Sequence, residues 1–236
     1  MAKRTADAED PRRAFLLQAL AAGLLAAGGA GVARAQFFGR RPQPLPAGRS
    51  VYEASGAVTV NGQPVSPQTR IGAGASIETG KGAQLIFVVG SDAFLLRGNS
   101  RLELAGQGFA LSVMRLATGA LLSVFGRGDR RVVTPTSTVG IRGTGLYVES
   151  EPERSYVCTC YGEVNIAAPD DPAVAERIVS KHHDAPRYVL KSGARRIQPA
   201  PFINHTDVEL ALIEALVGRT PPFSLFDEDY GGARRY

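Results

Sequence analysis

From Ala54 to about Ala167 the chain alternates apolar and polar positions in short runs. These are Ala57 to Val60, Ser76 to Glu78, Ala83 to Val89, Ala93 to Leu96, Arg101 to Leu104, Phe109 to Leu116, Ala120 to Phe125, Arg131 to Thr134, Leu146 to Glu149, Tyr156 to Tyr161 and Val164 to Ile166. Asn61-Gly62, Thr79-Gly80-Lys81-Gly82, Gly90-Ser91-Asp92, Gly98-Asn99-Ser100, Gly106-Gln107-Gly108, Gly119 and Gly126-Arg127-Gly128-Asp129 separate them. Strand-length runs with turn signals every 8 to 12 residues or so predict an all-β domain. No helix-length run of 3.6-residue periodicity interrupts them, so βαβ units are excluded and a sandwich, a barrel or a β-solenoid remains.

The flanks read differently. Residues 36–53 hold three prolines in five positions, Pro42, Pro44 and Pro46, which block helix and ladder alike and predict an extended linker. Residues 168–201 are polar and proline-bearing, with a strand pair expected to turn at Lys191-Ser192-Gly193. Residues 202–218 predict one amphipathic helix. Thr206-Asp207-Val208-Glu209 has the form of a capping box, Val208, Leu212, Ile213 and Leu216 mark one face, and Gly218 with Pro221-Pro222 ends it. Its apolar stripe is expected to cap the β-domain. Residues 219–236 read as a flexible tail.

The first 35 residues have the three parts of an export signal. Arg12-Arg13-Ala14-Phe15-Leu16 leads an apolar run to Ala33, and Ala33-Arg34-Ala35 is a small-x-small cleavage site before Gln36. The paired arginines and the Ala/Gly-rich run resemble a twin-arginine signal. Periplasmic localisation with no stable membrane insertion after cleavage is expected, an uncleaved inner-membrane anchor being the alternative.

Charge adds one exclusion. The net charge of +5 includes five Lys/Arg and three Asp/Glu before residue 36, so a chain cleaved there carries +3. The arginines are scattered and form no basic stripe with interleaved aromatics, so nucleic acid is not an expected partner.

The β-region resembles the FecR domain. The resemblance is carried by Gly56-Ala57-Val58, by Ser76 to Leu85, by Arg97 to Leu104, by Thr118-Gly119-Ala120-Leu121, by Val133 to Thr144 and by Gly162-Glu163-Val164. The stretch from Thr134-Pro135 to Arg142-Gly143-Thr144 is its most specific element. The resemblance implies a periplasmic, twisted β-solenoid-like domain over residues 54–167, followed here by the short β appendix and the one C-terminal helix. It also implies a binding or signalling role, with an envelope protein as partner and iron-related signalling as its setting in related systems. Only 13 residues precede the apolar run, so direct contact with a cytoplasmic sigma factor is not expected. Arg142 is expected to satisfy backbone carbonyls at a corner, with an anion site as the alternative.

Cysteine and histidine supply the candidate chemistry. Cys158 and Cys160 lie two apart, so a strand points both to one face. His182 and His183, two of only three histidines, follow about 22 residues later. Cys158, Cys160, His182 and His183 therefore form a candidate site for a thiophilic metal such as zinc. A strained disulfide and a packed, reduced pair are the alternatives. Adjacent strand residues face opposite sides, so both histidines could reach one ion only from a loop. Gly-x-Ser-x-Gly, His-Glu-x-x-His and phosphate-loop motifs are absent, and no catalytic residue is assigned. The sequence thus predicts a non-enzymatic binding or sensing module, with a metal-binding or redox-responsive protein as the alternative.

Overall fold

The structure is a computed structural model, described here for residues 43–223. The expected export signal, the first part of the expected linker and the expected tail beyond Phe223 lie outside the described residues.

In chain order the strands are β1 (Val51–Ser55), β2 (Val58–Val60), β3 (Gln63–Pro64), β4 (Ser76–Thr79), β5 (Gln84–Val89), β6 (Asp92–Leu96) and β7 (Arg101–Gln107). There follow β8 (Ala110–Val124), β9 (Asp129–Val133), β10 (Thr138–Ser150), β11 (Arg154–Ala168), β12 (Asp171–Ser180), β13 (Arg187–Leu190) and β14 (Ile197–Pro199), and then the one helix among the described residues, α1 (Asp207–Leu216). All the strands belong to one 14-stranded sheet, antiparallel except where β8 runs beside β9. The all-β class expected from the rhythm is the class observed.

Several boundaries differ from expectation. The linker ends earlier, because Val51 opens β1 and pairs with Phe87. Phe109–Leu116 and Ala120–Phe125 are one strand, as are Tyr156–Tyr161 and Val164–Ile166. Gly119 and Gly162 bend these strands without ending them. Both have left-handed backbone (φ 89° and 91°), where a side chain would be strained, and an added methyl would collide with Ser100 and Thr144 respectively. The bend lets each long strand serve two neighbourhoods. The first half of β8 pairs with β7 and the second with β6 and β10. The first half of β11 pairs with β13 and the second with β12.

The sheet therefore buries both faces of its middle. Along β5, Leu85, Phe87 and Val89 enter one core with Phe94, Leu121, Leu146, Val148 and Val157, while Ile86 and Val88 enter a second with Leu95, Leu122, Val124 and Tyr147. Burial on both faces explains why β5 and β6 read as near-continuous apolar runs. The second core is closed by α1 through Leu210, Ile213 and Leu216. The helix face thus differs from the expected one, since Val208 is 53% exposed and Leu210 takes its place. The capping box forms as the sequence suggests. Glu209 N donates to Thr206 Oγ1 and Thr206 N to Glu209 Oε2. Glu209 and Glu214, buried on the inner side, meet Arg97 at 2.7 Å and Arg219 at 2.6 Å. Among the described residues no helix is long and apolar enough to cross a membrane.

The Thr134 to Thr144 stretch is structural in its contacts. Thr134, Thr136, Ser137 and Ser155 are buried and share a hydroxyl network, with Thr134 Oγ1 2.7 Å from Ser155 Oγ. Pro135 lies in the turn this network ties, between β9 and β10. Arg142 departs from the corner role expected of it. It is exposed beside Gly143 and sits directly across from Glu163, so it faces solvent and a carboxylate, not a backbone carbonyl.

Candidate metal centre

Cys158 and Cys160 sit in the first half of β11, and strand geometry points both toward the α1 side. Both are free thiols, fully buried. The β12–β13 loop crosses above them. Its Asp184 accepts from the backbone amides of Lys181 (2.7 Å) and His182 (3.2 Å), and the turn so formed holds His183 in left-handed backbone at φ 53°. His183 N also donates to Cys160 O. The two neighbouring imidazoles stay in contact, ring centres 4.6 Å apart, but only one reaches the thiols. His183 drops Nδ1 to 3.3 Å from Cys158 Sγ, whereas His182 turns Nε2 to Asp207 at 2.9 Å.

The fourth group at the centre is His205, on the turn that leads into α1. Its Nε2 lies 3.5 Å from Cys160 Sγ and 3.1 Å from His183 Nδ1. The donor atoms of Cys158, Cys160, His183 and His205 all fall within 4.8 Å of one another, and all four residues are buried. The expected set thus changes by one member, with His205 replacing His182. The physical reason is that both imidazoles turn Nε2 to Asp207, and only His183 also has Nδ1 against a thiol. His205 carried only a faint signal, as the third histidine immediately before a helix cap.

Hydrogen bonds outside the cluster fix which nitrogens face it. His205 Nδ1 donates to Ile203 O at 2.7 Å, which leaves Nε2 as the lone-pair nitrogen. His183 Nε2 faces Asp207 Oδ1 at 3.0 Å, a carboxylate–imidazole pair of the kind that orients metal-bound histidines. Around them Tyr147 stacks on His205 with ring centres 4.3 Å apart, and Phe202 and Phe223 lie against His183 and His182. The surround is aromatic.

The protonation pattern follows from this crowding. Burial opposes ionisation of Cys158, but hydrogen bonds from Cys160, His183 and His205 carry its thiol well below the ordinary range. Burial and the neighbouring Cys158 push Cys160 the other way. Burial pulls His183 down, and its bonds to Asp207 and Cys158 outweigh that, pushing it up to about 9. Without an ion, then, a proton on His183 Nδ1 stands among the four donors.

All four donors lie close enough together to share a single four-coordinate ion. A tetrahedral ion with metal–sulfur bonds of about 2.3 Å and metal–nitrogen bonds of about 2.0–2.1 Å has donor–donor edges of about 3.3–3.8 Å. The sulfur–nitrogen distances of 3.3 and 3.5 Å match that range and the nitrogen–nitrogen distance of 3.1 Å is slightly short of it. Two cysteines and two histidines also hold a Rieske-type cluster, but there the cysteines bind one iron and the histidines the other. Here each sulfur is beside an imidazole nitrogen and all four donor atoms lie within 4.8 Å of one another, too close for that division between two irons.

No family model and no curated protein matches the chain. Among solved structures the fold is similar to two crystal structures of a candidate anti-sigma factor from Parabacteroides distasonis, at 13% and 14% identity and a TM-score of 0.44 in each case. Each match covers 53% of this chain, which spans 58% of the length of the solved chain.

Proposed function

We propose that this is an exported, non-enzymatic binding module of the FecR type whose β-scaffold carries one closed metal centre, formed by Cys158, Cys160, His183 and His205. The observation that supports the metal reading above the others is the convergence of four buried donors within 4.8 Å of one another, with both imidazoles oriented from behind by Asp207 and Ile203 O. Four protein ligands leave no open coordination position, which is the pattern of structural and not catalytic zinc sites. Charge favours a divalent ion. Two thiolates and two neutral imidazoles carry a charge of −2, so a divalent ion leaves the buried centre neutral, whereas monovalent copper leaves it with an uncompensated charge. Thiolate and imidazole donors with tetrahedral geometry select zinc among common divalent ions. The export reading rests on the Arg12-Arg13 signal and the binding role on the FecR-like motifs, with an envelope protein as partner.

The test is the metal content, native mass and free-thiol count of the full chain purified from the periplasmic fraction without added metal. Near-stoichiometric zinc is expected, lost in Cys158→Ser/Cys160→Ser and in His205→Ala and kept in His182→Ala. A metal-free protein, whether bridged and lighter by two hydrogens or carrying two free thiols, would overturn the metal reading. Recovery in the cytoplasmic fraction alone would overturn the export reading.

A further inference from the structure

The four donors come from three separate pieces of chain: β11, the β12–β13 loop, and the turn before α1. Two of these belong to the body of the sheet. Cys158 and Cys160 lie in β11 beside β10, between its pairings with β13 and β12, and His183 is tied to that strand by its own amide. The third piece is different. Pro201 to Thr206 makes no ladder, and it is held by Tyr156 OH donating to Pro201 O, by Ile203 N donating to Tyr156 OH, and by Arg97 and Glu149 binding Asn204. Directly after it comes α1, ten residues long, too short to persist without its packing partners. The inner ends of the ion pairs Arg97–Glu209 and Arg219–Glu214 are both on this helix, and Tyr161 OH donates to Glu214.

We infer that ion occupancy of this centre latches the C-terminal segment, residues 201–223, onto the sheet, so that binding and release of the ion control how often α1 uncovers the apolar face beneath it. The inference rests on the metal reading above and adds to it the regulation of that site. His205 is one ligand and Asp207, the first residue of α1, backs a second, so the segment cannot lift without removing a donor from the ion and the support from His183. Docked segment and bound ion therefore favour each other, and by linkage the coupling is reciprocal. Opening of the segment bares Ile86, Val88, Leu95, Leu122 and Val124 while β5, β6 and the opposite core keep their pairing. The latch is a local unit within a larger stable one.

Hydrogen exchange on the full chain tests this, comparing zinc-loaded protein with protein stripped by a chelator and returned to metal-free buffer. At free zinc about one hundred times the dissociation constant, amides of 207–216 should exchange about ten- to a hundredfold more slowly than in the stripped protein. Amides of β5 and β6 should change little. His205→Ala, with its other three donors intact, should exchange in 207–216 at the stripped rate with or without zinc. Bound zinc with unchanged exchange in α1 would overturn the latch and leave the metal centre standing. Equal acceleration in α1, β5 and β6 would show that the ion supports the whole fold, and would also overturn it. Failure to bind zinc at all would remove the metal reading and the latch together.

Discussion

Replacing Asp207 by Asn probes the centre from behind without touching a ligand. Asp207 Oδ1 lies 3.0 Å from His183 Nε2, and the side chain also accepts from His182 at 2.9 Å, so the change removes the charge that orients both rings while keeping an acceptor of the same shape. Loss of such a supporting carboxylate typically weakens metal binding about 10- to 100-fold. With free zinc held at about one hundred times the parent dissociation constant, the ion stabilises the parent by about 2.7 kcal/mol. A thirtyfold weaker variant sees zinc at only about three times its own constant, which is worth about 0.9 kcal/mol. For a folded unit of this size each kcal/mol moves the melting temperature by about 2–4 °C. The zinc-dependent rise should therefore fall from about 5–11 °C to about 2–4 °C. Asp207 also favours the helix N-terminus by its charge, so the metal-free variant melts lower as well. Taking the difference with and without zinc for each protein cancels that contribution. Thermal unfolding followed by circular dichroism reads it directly, with His182→Ala as the control that retains most of the rise. An Asp207→Asn protein with the full parental rise would refute the role assigned to the carboxylate.

Other outcomes follow from the same geometry. Zinc uptake near pH 7 should release protons, at least the one held by His183, whose value is pushed up to about 9; titration calorimetry in buffers of different ionisation enthalpy counts them, and uptake without release would contradict the protonation pattern. Affinity should fall as the pH is lowered, because the donors bind the ion only when deprotonated. Gly119→Ala should destabilise the fold by about 1–3 kcal/mol from its left-handed backbone, with the collision at Ser100 in addition, read by urea denaturation. Asp92→Ala, which removes the buried acceptor of the half-buried Arg130 guanidinium and Gly126 amide, should cost about 3 kcal/mol in the same assay with zinc stoichiometry unchanged.

Why some of this was readable from sequence and some not can be traced to particular residues. Strand alternation and glycine-bearing turns are local properties, and so are the capping box at Thr206 and the common face of Cys158 and Cys160. Each is decided within a few residues, and each is found in the structure. Gly119 and Gly162 misled because a glycine that ends a strand and a glycine that bends one look alike in sequence; the difference lies in Ser100 and Thr144, distant along the chain, which leave no room for a side chain. β12 went unread because its charged residues Glu176 and Arg177 obscure its alternation, and its pairing with β11 supplies the order. The substitution of His205 for His182 had the same origin. Which of two adjacent imidazoles turns inward was settled by Asp184 and the left-handed backbone of His183, and the approach of His205 was settled by where α1 docks.

Burial of all four donors has a consequence for time as well as affinity. A zinc ion at an open site leaves by exchange with an incoming ligand, so a competing chelator speeds its departure in proportion to concentration. Here the thiolates are fully covered and the imidazoles are shielded by Tyr147, Phe202 and Phe223, so a chelator has no line of approach while the segment is down. Departure waits on an excursion of the protein itself. The rate of ion loss should climb with chelator at low concentration and then reach a ceiling set by that excursion, the same for chelators of different strength. A protein built this way retains its ion through brief scarcity and responds only to a lasting one.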